Sequence, residues 1–349
     1  MADPTAPRPT TRRAVTRADV AREAGVSTAV VSYVINDGPR PVAATTAARV
    51  REAVERLGYR PNLSARALRL GTTDLIGLIV PDSSNPFFAE YALEIEQAAA
   101  RRGCSLVVAN SKGSPSLERR NVESLANRQV SGLIVASATA GDRVDLRARR
   151  DVPVALINAD GPVSGLSTLG PDFRQGARDA VEHLIVEHGA ATVGLATGPR
   201  RNHTAYGRED GWREALARHG LPAGPILEDE FSRAGGYRMG RQLLRGDAPD
   251  LPDALFALSD LQAVGLLRAL HETGIDVPRD VALVSFDGTI ESEYCWPGLT
   301  VARQPIRAMA EAAVAAVMDA PSEHQVFRTE LVIRRSCGCE SSEPVVVTP

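Results

Sequence analysis

Four side chains near the start of the chain have the types and the spacing needed to contact DNA. They fall at outward positions of one short helical pattern and are small or hydrogen-bonding rather than charged: Thr28, Ala29, Ser32 and Tyr33. The methyl groups of Thr28 and Ala29 suit a thymine methyl, and the Tyr33 hydroxyl can form one hydrogen bond at a base edge. This pattern predicts recognition of DNA in the major groove.

Two short helices must position these side chains. The first begins at Thr16, a good N-cap, and Asp19 three residues later completes an acidic capping box. Gly25 supplies a permissive turn position, and Ser27 caps the second helix. The apolar residues recur at helical spacing: Val20, Ala21 and Ala24, then Val30, Val31, Val34 and Ile35. The pattern predicts a helix-turn-helix, with an ordinary helical hairpin as the alternative.

The charge of the chain is divided unevenly between its two parts. Residues 1–70 contain twelve Arg and six acidic residues, a net charge of +6. Residues 71–349 contain 28 basic and 37 acidic residues, a net charge of −9. A positive head on a negative body favours contact with phosphates, which counts against the hairpin alternative.

Length and composition exclude several classes of protein. A chain of 349 residues predicts two or three domains. No apolar run is long enough to span a membrane. The opening residues, MADPTAPRPTTRR, lack the apolar core of a signal peptide, so we expect residues 1–13 to be a disordered arm. We therefore expect a cytoplasmic, nucleoid-associated protein without a membrane partner.

The cysteines do not predict a metal site. Cys104 and Cys295 stand alone, and Cys337-Gly338-Cys339 lacks the two-residue spacer of common zinc-ligand pairs. We interpret all four as structural or incidental thiols, with no metal and no cofactor. The sequence also contains no GxSxG, P-loop or HExxH motif, and its six His form no convincing catalytic set, so we expect no enzyme activity.

A third helix completes the head. Its pattern runs over residues 45–57 and ends at Gly58, so residues 14–60 can form a small three-helix DNA-binding domain. Asn62 is a plausible N-cap for the short segment 63–70, which cannot be a stable helix alone in water. Residues 61–71 are therefore a hinge that should order only when something holds it.

The remainder alternates between strand and helix patterns. A continuous apolar run from Leu75 to Val80 is typical of a strand buried on both faces, and the alternation continues to residue 286. It predicts parallel sheets in two lobes, with a ligand cleft at the carboxyl ends of the strands. We expect the first lobe to span about 72–160 and 291–320 and the second about 161–290 and 321–340, with crossings near 160, 290 and 320. Residues 341–349 should form a disordered tail.

Several long stretches, in order, resemble the LacI/GalR family of bacterial transcription regulators. They are DVAREAGVS at 19–27, LGYRPN at 57–62, IGLIVPDSSNPFFAE at 76–90, VSGLIVAS at 130–137, TAYGREDGW at 204–212, VALVSFD at 281–287 and RQP at 303–305. The resemblance implies an all-α helix-turn-helix head and an α/β two-lobed regulatory domain, similar to periplasmic sugar-binding proteins. It also implies a homodimer or tetramer on a near-palindromic operator. No heptad-repeat tail follows Arg335, which favours the dimer.

The resemblance also assigns roles in DNA binding. Thr28, Ala29 and Tyr33 fall on base-reading positions, although many relatives have Arg where this chain has Tyr33. Positions that contact phosphates map to Thr16, Ser27, Ser32 and Asn36, whereas Val30 replaces a phosphate-binding Thr. The hinge Leu that enters the central minor-groove step maps to Leu68, and Arg69 follows it. Asn62 completes the predicted DNA-binding set.

The resemblance and the residue types together predict an effector site in the cleft. Polar groups after strands would hold hydroxyls, and aromatic rings would lie under apolar ring faces. The candidates are Asp82, Asn85, Phe87, Phe88, Asn158, Thr204, Arg208, Phe231, Ser259, Asp260, Asp287 and Gln304. We expect Arg208 and Asp287 to contribute most, because an Arg opposite a carboxylate is a common way to hold a sugar.

The sequence therefore predicts a ligand-responsive transcription repressor. A small molecule, such as a sugar or related metabolite, would bind between the lobes and change operator affinity. The alternative is a solute-binding protein of a transport system, which the basic head and the missing signal peptide disfavour.

Overall fold

The computed structural model describes residues 15–35, 40–60, 73–136, 152–199, 204–245, 251–319, 324–340 and 345–347. The side chains of residues 204–206 and 345–347 are outside that description. The chain divides into two compact units, residues 1–70 and 71–349, and each is described by itself.

The first unit contains the predicted helix-turn-helix and a third helix. Its helices are α1 (Arg17–Ala24), α2 (Thr28–Ile35) and α3 (Ala44–Leu57). The predicted capping box is present: the Asp19 amide donates to Thr16 Oγ1 at 3.4 Å, and the Thr16 amide donates to Asp19 Oδ2 at 2.9 Å. Gly25 has φ 63°, which a residue with a side chain rarely adopts, so the turn requires glycine there. The three helices enclose a small core.

The second unit contains two α/β lobes. The first sheet has the strand order β11-β5-β4-β3-β1-β2 and is parallel throughout. Its strands are β1 (Leu75–Val80), β2 (Ser105–Asn110), β3 (Gly132–Val135), β4 (Val154–Ile157), β5 (Ser167–Pro171) and β11 (His324–Phe327). The helices α4 (Pro86–Arg101), α5 (Pro115–Ala126) and α11 (Ile306–Met318) accompany it.

The second sheet has the order β13-β12-β10-β9-β8-β6-β7. It is parallel except for β12 and β13, which run antiparallel to their neighbours. Its strands are β6 (Val193–Thr197), β7 (Ile226–Glu228), β8 (Ala254–Ala257), β9 (Ala282–Asp287), β10 (Thr300–Arg303), β12 (Glu330–Ile333) and β13 (Val345–Val347). The helices of this lobe are α6 (Phe173–His188), α7 (Thr204–Arg218), α8 (Arg233–Leu243), α9 (Asp260–Glu272) and α10 (Ile290–Tyr294).

The predicted limits of the lobes need correction. The chain leaves the first sheet after β5, returns after β10 and leaves again between β11 and β12, so the crossings lie near 172, 304 and 328. The sequence analysis placed each crossing about ten residues too early. β5 reads Ser-Thr-Leu-Gly-Pro and has no apolar run, so it could not be recognised as a buried strand. The short strands β7, β10, β11, β12 and β13 were missed as well. Because β13 pairs with β12, the expectation of a disordered tail over residues 341–349 is wrong for residues 345–347.

Each lobe has its own apolar core. In the first lobe, α4 and α11 cover one face of the sheet, with Tyr91, Ile95 and Met309 fully buried there. In the second, α6 and α7 pack against the sheet around Trp212, which has no exposed surface. In the described part of the chain, no helix combines the length and apolar character needed to cross a membrane.

Candidate effector site and DNA-reading helix

The first turn of α2 is presented as predicted. Ser27 caps the helix, its Oγ accepting a hydrogen bond from the Val30 amide at 3.3 Å. Thr28 and Ala29 are exposed, Ser32 and Tyr33 are half-buried, and Val31 is buried against the other helices. The predicted phosphate contact Thr16 is exposed at the start of α1, where its hydroxyl also caps that helix. Asn36, Asn62, Leu68 and Arg69 lie outside the described residues.

Most of the predicted effector residues follow strands, and the carboxyl ends of the parallel strands form one edge of each sheet. In the first lobe, Asp82 and Asn85 follow β1, and Asn158 follows β4. In the second lobe, β6 precedes the helix that carries Arg208, and β8 precedes Ser259 and Asp260; Asp287 ends β9, and Gln304 follows β10. The topology therefore collects residues from six separate stretches of sequence in one crevice.

Two hydrogen bonds show that these edges face each other across the cleft. The Gly207 amide, in α7, donates to Asp160 Oδ2 at 3.0 Å, and Asp160 belongs to the loop after β4. The Ile290 amide donates to Glu90 Oε1 of α4 at 2.9 Å. A Cβ on Gly207 would lie 2.7 Å from Asp160 Oδ1, so only glycine allows this approach of the lobes.

Arg208 is the buried cation of the cleft. Its guanidinium lies 4.7 Å from the ring centre of Phe173, 4.8 Å from that of Phe286 and 5.8 Å from that of Phe231. Nη1 donates to the Leu258 carbonyl, whereas Nε has no partner. Burial lowers the pKa of Arg208, and the nearby carboxylates of Asp287 and Asp160 oppose that shift. The Leu258 carbonyl and the surrounding rings thus hold the guanidinium in place, and its Nε–H donor is unused.

Asp287 supplies the buried carboxyl group near this cation. Its Oδ1 accepts a hydrogen bond from Gln304 Nε2 at 2.8 Å. Burial raises the pKa of Asp287 well above the usual carboxyl range, and the Arg208 guanidinium acts in the opposite direction. The backbone of Asp287 has φ 112°, a region in which strain costs about 1–3 kcal/mol and which often marks functional positions.

Four buried polar side-chain atoms of the described residues have no hydrogen-bond partner, and three of them belong to residues of this cleft. They are Tyr91 Oη, Asn158 Oδ1, Arg208 Nε and Gln304 Oε1. An unpaired buried polar group costs about 1–3 kcal/mol, so proteins rarely retain several of them in one place. Three of the four belong to predicted effector residues. Together they offer a donor, two acceptors and a hydroxyl that can act as either.

Tyr91 is the one residue of these four that the sequence analysis did not single out. It lies on α4, has no exposed surface, and packs its ring edge-on against Phe87 with 5.8 Å between ring centres. The helical pattern assigned this position to the apolar face, and nothing local indicates that its hydroxyl is left unpaired. Phe87 and Phe88, predicted as ligand contacts, are packed into the core of the first lobe beneath it.

Asp260 has a structural role in the loop after β9. Its carboxylate accepts hydrogen bonds from Ser285 Oγ at 2.7 Å and from the amide and hydroxyl of Thr289 at 2.7 and 2.8 Å. Burial nevertheless raises the pKa of Asp260. Both carboxylate oxygens of Asp260 already accept hydrogen bonds, so few acceptor sites remain for a ligand. These bonds fix the loop that follows β9, the strand that ends at Asp287.

Other candidates also serve local structure. Ser259 caps α9, and Asn85 caps α4 by accepting a hydrogen bond from the Phe87 amide at 3.0 Å. Asp82 accepts hydrogen bonds from both the amide and the hydroxyl of Ser84. The side chain of Thr204 lies outside the described part of the chain. These contacts position the loops of the cleft and leave the ligand-binding role of Asp82, Asn85 and Ser259 as a prediction.

Comparisons with known proteins identify the family. Residues 16–62 match the model described as bacterial regulatory proteins, lacI family, and residues 181–337 match the periplasmic binding protein-like domain. The ribose operon repressor of Escherichia coli (strain K12) is 34% identical over 303 residues, which cover 86% of this chain and 91% of that repressor. The chain belongs to the LacI family.

Solved structures agree with this assignment over almost the whole chain. The Lac repressor dimer bound to operator and the anti-inducer ONPF matches with a TM-score of 0.82 at 28% identity, covering 93% of this chain and 99% of that one. A complex of the transcriptional regulator CelR with cellobiose matches with a TM-score of 0.66 at 30% identity, covering 92% and 99%. This LacI-family protein is a DNA-binding transcriptional repressor with an effector-binding domain, which rules out the transport alternative.

Proposed function

We propose that the cleft binds a small polyhydroxylated molecule, a sugar or a related metabolite, and that its binding changes operator affinity. The observation that carries this proposal is that three predicted cleft residues, Asn158, Arg208 and Gln304, each have a buried polar atom without a hydrogen-bond partner. Vicinal hydroxyls both donate and accept hydrogen bonds, so one ligand could satisfy donors and acceptors in the same crevice.

The surroundings of the guanidinium support the same ligand class. A ligand bound beside Arg208 would meet a planar fork of donors, which suits two adjacent oxygens better than a single point charge does. The rings of Phe173, Phe231 and Phe286 provide apolar faces next to those donors. Among similar proteins, one is named a ribose operon repressor and one was solved with cellobiose.

The operator contacts form the second half of the proposal. Thr28, Ala29 and Tyr33 would read bases, while Thr16, Ser27, Ser32 and Asn36 would contact the phosphates, and Asn62 would lie in the same interface. Leu68 and Arg69 would enter the minor groove at the centre of a near-palindromic operator bound by a homodimer. The effector would shift the relative orientation of the lobes, because it contacts both of them, and the hinges would transmit the shift.

A ligand screen combined with an operator titration tests the proposal. The panel should contain pentoses, hexoses, disaccharides, sugar phosphates and purines. One class of compound should raise the unfolding temperature of the full chain. That compound should then change the dissociation constant for DNA flanking the gene of this protein. Stabilisation by purines alone would overturn the assigned ligand class. A compound that binds the cleft without altering operator affinity would overturn the proposed regulation.

A further inference from the structure

A cluster of four metal-ligating side chains lies in the second lobe, among residues not assigned to the cleft. His183 and His188 come from the end of α6, and Cys337 and Cys339 follow β12 near the end of the chain. Their nearest nitrogen and sulfur atoms all lie within 4.8 Å of one another. The two pairs are about 150 residues apart in sequence, so the fold alone brings them together.

Four of the six distances between the ligating atoms are close to those of a tetrahedral zinc ion, and the other two are at most 4.8 Å. The two Nε2 atoms are 3.3 Å apart. The nitrogen–sulfur distances are 3.3 Å from His183 to Cys337, 3.7 Å from His183 to Cys339 and 3.4 Å from His188 to Cys339. Zn–N bonds of about 2.0 Å and Zn–S bonds of about 2.3 Å place tetrahedral ligands about 3.3 Å apart for N–N and about 3.6 Å apart for N–S.

Hydrogen bonding alone does not account for this convergence. His183 Nε2 lies within 3.7 Å of three ligating atoms, yet a ring nitrogen carries either one N–H or one lone pair. It can therefore satisfy only one of the three contacts. A single cation at the centre satisfies all four side chains at once, with both imidazoles coordinating through Nε2.

The surrounding backbone shapes the cluster. His183 and Cys337 are buried, whereas His188 and Cys339 lie nearer the surface. Gly338, between the cysteines, has φ 112°, and a Cβ there would lie 3.0 Å from His188 Nδ1. The Thr300 hydroxyl donates to Cys337 Sγ at 3.0 Å, a contact of the kind that orients a thiolate ligand.

We propose that His183, His188, Cys337 and Cys339 form a structural zinc site that fastens the segment after β12 to α6. The sequence analysis excluded a metal because Cys337 and Cys339 have a one-residue spacer, but that spacing rule ignored ligands supplied by a distant helix. Four protein ligands leave no open coordination position, so the ion would stabilise the lobe rather than perform chemistry.

Metal analysis of the full chain tests the proposal. The protein should be produced with zinc in the medium and purified with a tag that contains no histidine. We expect about one zinc per chain by mass spectrometry, with both thiols of the cluster unreactive until zinc is removed. Cobalt exchanged into the protein should give the absorption bands of a tetrahedral ion with thiolate ligands.

Variants at the two less buried ligands make the test specific. Cys339→Ser and His188→Asn should each weaken zinc binding at least 100-fold. Even substitution of a residue that only hydrogen-bonds to a ligand typically lowers metal affinity about 10–100-fold. A chelator should lower the unfolding temperature of the wild type and leave that of Cys339→Ser unchanged. Cys104→Ser and His219→Asn, which change the same residue types outside the cluster, should behave like the wild type.

Three results would each overturn the proposal. One is wild-type protein that takes up neither zinc nor cobalt while its four cysteines react freely. Another is a disulfide between Cys337 and Cys339 in protein purified with zinc and without an oxidant. The third is full metal content in both Cys339→Ser and His188→Asn. None of these results would bear on the cleft or on operator binding.

Discussion

The helix α2, which is predicted to read DNA, and the cleft between the lobes present their candidate binding groups in opposite ways. On α2, Thr28 and Ala29 are already exposed, and a fully packed core beneath them holds the helix. In the cleft, Arg208 and Asp287 are buried, and Arg208, Asn158 and Gln304 each have a polar atom without a hydrogen-bond partner. The comparison indicates that substitutions on α2 should change recognition alone, whereas substitutions in the cleft should change both ligand affinity and stability.

The largest effect is expected for Arg208→Ala. Loss of a charged donor pair should weaken effector binding by about 3 kcal/mol, roughly 100-fold, and abolish the response of operator binding to effector. Effector titration calorimetry and operator titrations measure the two quantities. Arg213→Ala is the matched control, because Arg213 is half-exposed and paired with Glu209.

Arg208→Ala also removes the positive charge near the buried Asp287 and could therefore affect folding. Arg208→Lys provides a second variant for that reason. It keeps the positive charge but lacks the planar fork, so it should fold and still respond poorly to effector. An Arg208→Lys protein with wild-type affinity would place the ligand away from this guanidinium.

The next largest effect is expected for Leu68→Ala, which tests the DNA half of the comparison. If Leu68 enters the minor groove, the substitution should weaken operator binding by about 1–3 kcal/mol and leave binding to random DNA nearly unchanged, because nonspecific affinity comes from phosphates. Titrations on both DNAs should be made at one salt concentration. Equal losses on operator and random DNA would contradict the hinge assignment.

A smaller effect is expected for Tyr33→Arg, which should change the preferred base sequence rather than the overall affinity for DNA. Arg can contact guanine through two hydrogen bonds, which is worth about 1–3 kcal/mol, so half-sites with guanine at the facing base pair should gain affinity. Selection from a randomised operator library measures the preference. Asn36→Ala is the control and should weaken all sequences equally. An unchanged motif for Tyr33→Arg would mean that another face of α2 meets the bases.

The smallest effect concerns pH. Because burial raises the pKa of Asp287, the folded state holds its proton more tightly than the unfolded chain. This contribution to stability is present below the usual carboxyl pKa and is lost as pH rises through the raised value. The unfolding temperature of the wild type should therefore fall more between about pH 5 and 8 than that of Asp287→Asn. Parallel curves for the two proteins would contradict the raised pKa.

The sequence predicted best what depends on neighbouring residues. Thr16, Asp19 and Gly25 specify the start and end of α1 through contacts within four residues, and the structure confirms each of them. Long apolar runs such as β1 were also recognised, because burial on both faces leaves an unmistakable pattern. Short strands such as β5 carry no such pattern, and the limits of the lobes were misplaced for that reason.

The sequence predicted the cleft only in part, because hydrogen-bond satisfaction is a property of the folded structure. Ser259 and Asp260 have the residue types of ligand contacts, yet one caps a helix and the other fixes a loop. Conversely, Tyr91 has the pattern of a core residue, yet its hydroxyl is unpaired. The cluster of His183, His188, Cys337 and Cys339 was missed for a related reason, since its histidine pair and its cysteine pair are adjacent only in the folded structure.

The substitution Tyr91→Phe tests most directly the proposal that the buried polar atoms without a hydrogen-bond partner serve to bind a ligand. Removing an unpaired buried hydroxyl should raise the free energy of unfolding without effector by about 1 kcal/mol and weaken effector binding by about 1 kcal/mol. Chemical unfolding and effector titration of the same preparation give both values. Tyr237→Phe is the control, because its hydroxyl donates to Glu272 at the surface. A Tyr91→Phe protein with lower stability and unchanged effector affinity would contradict the account.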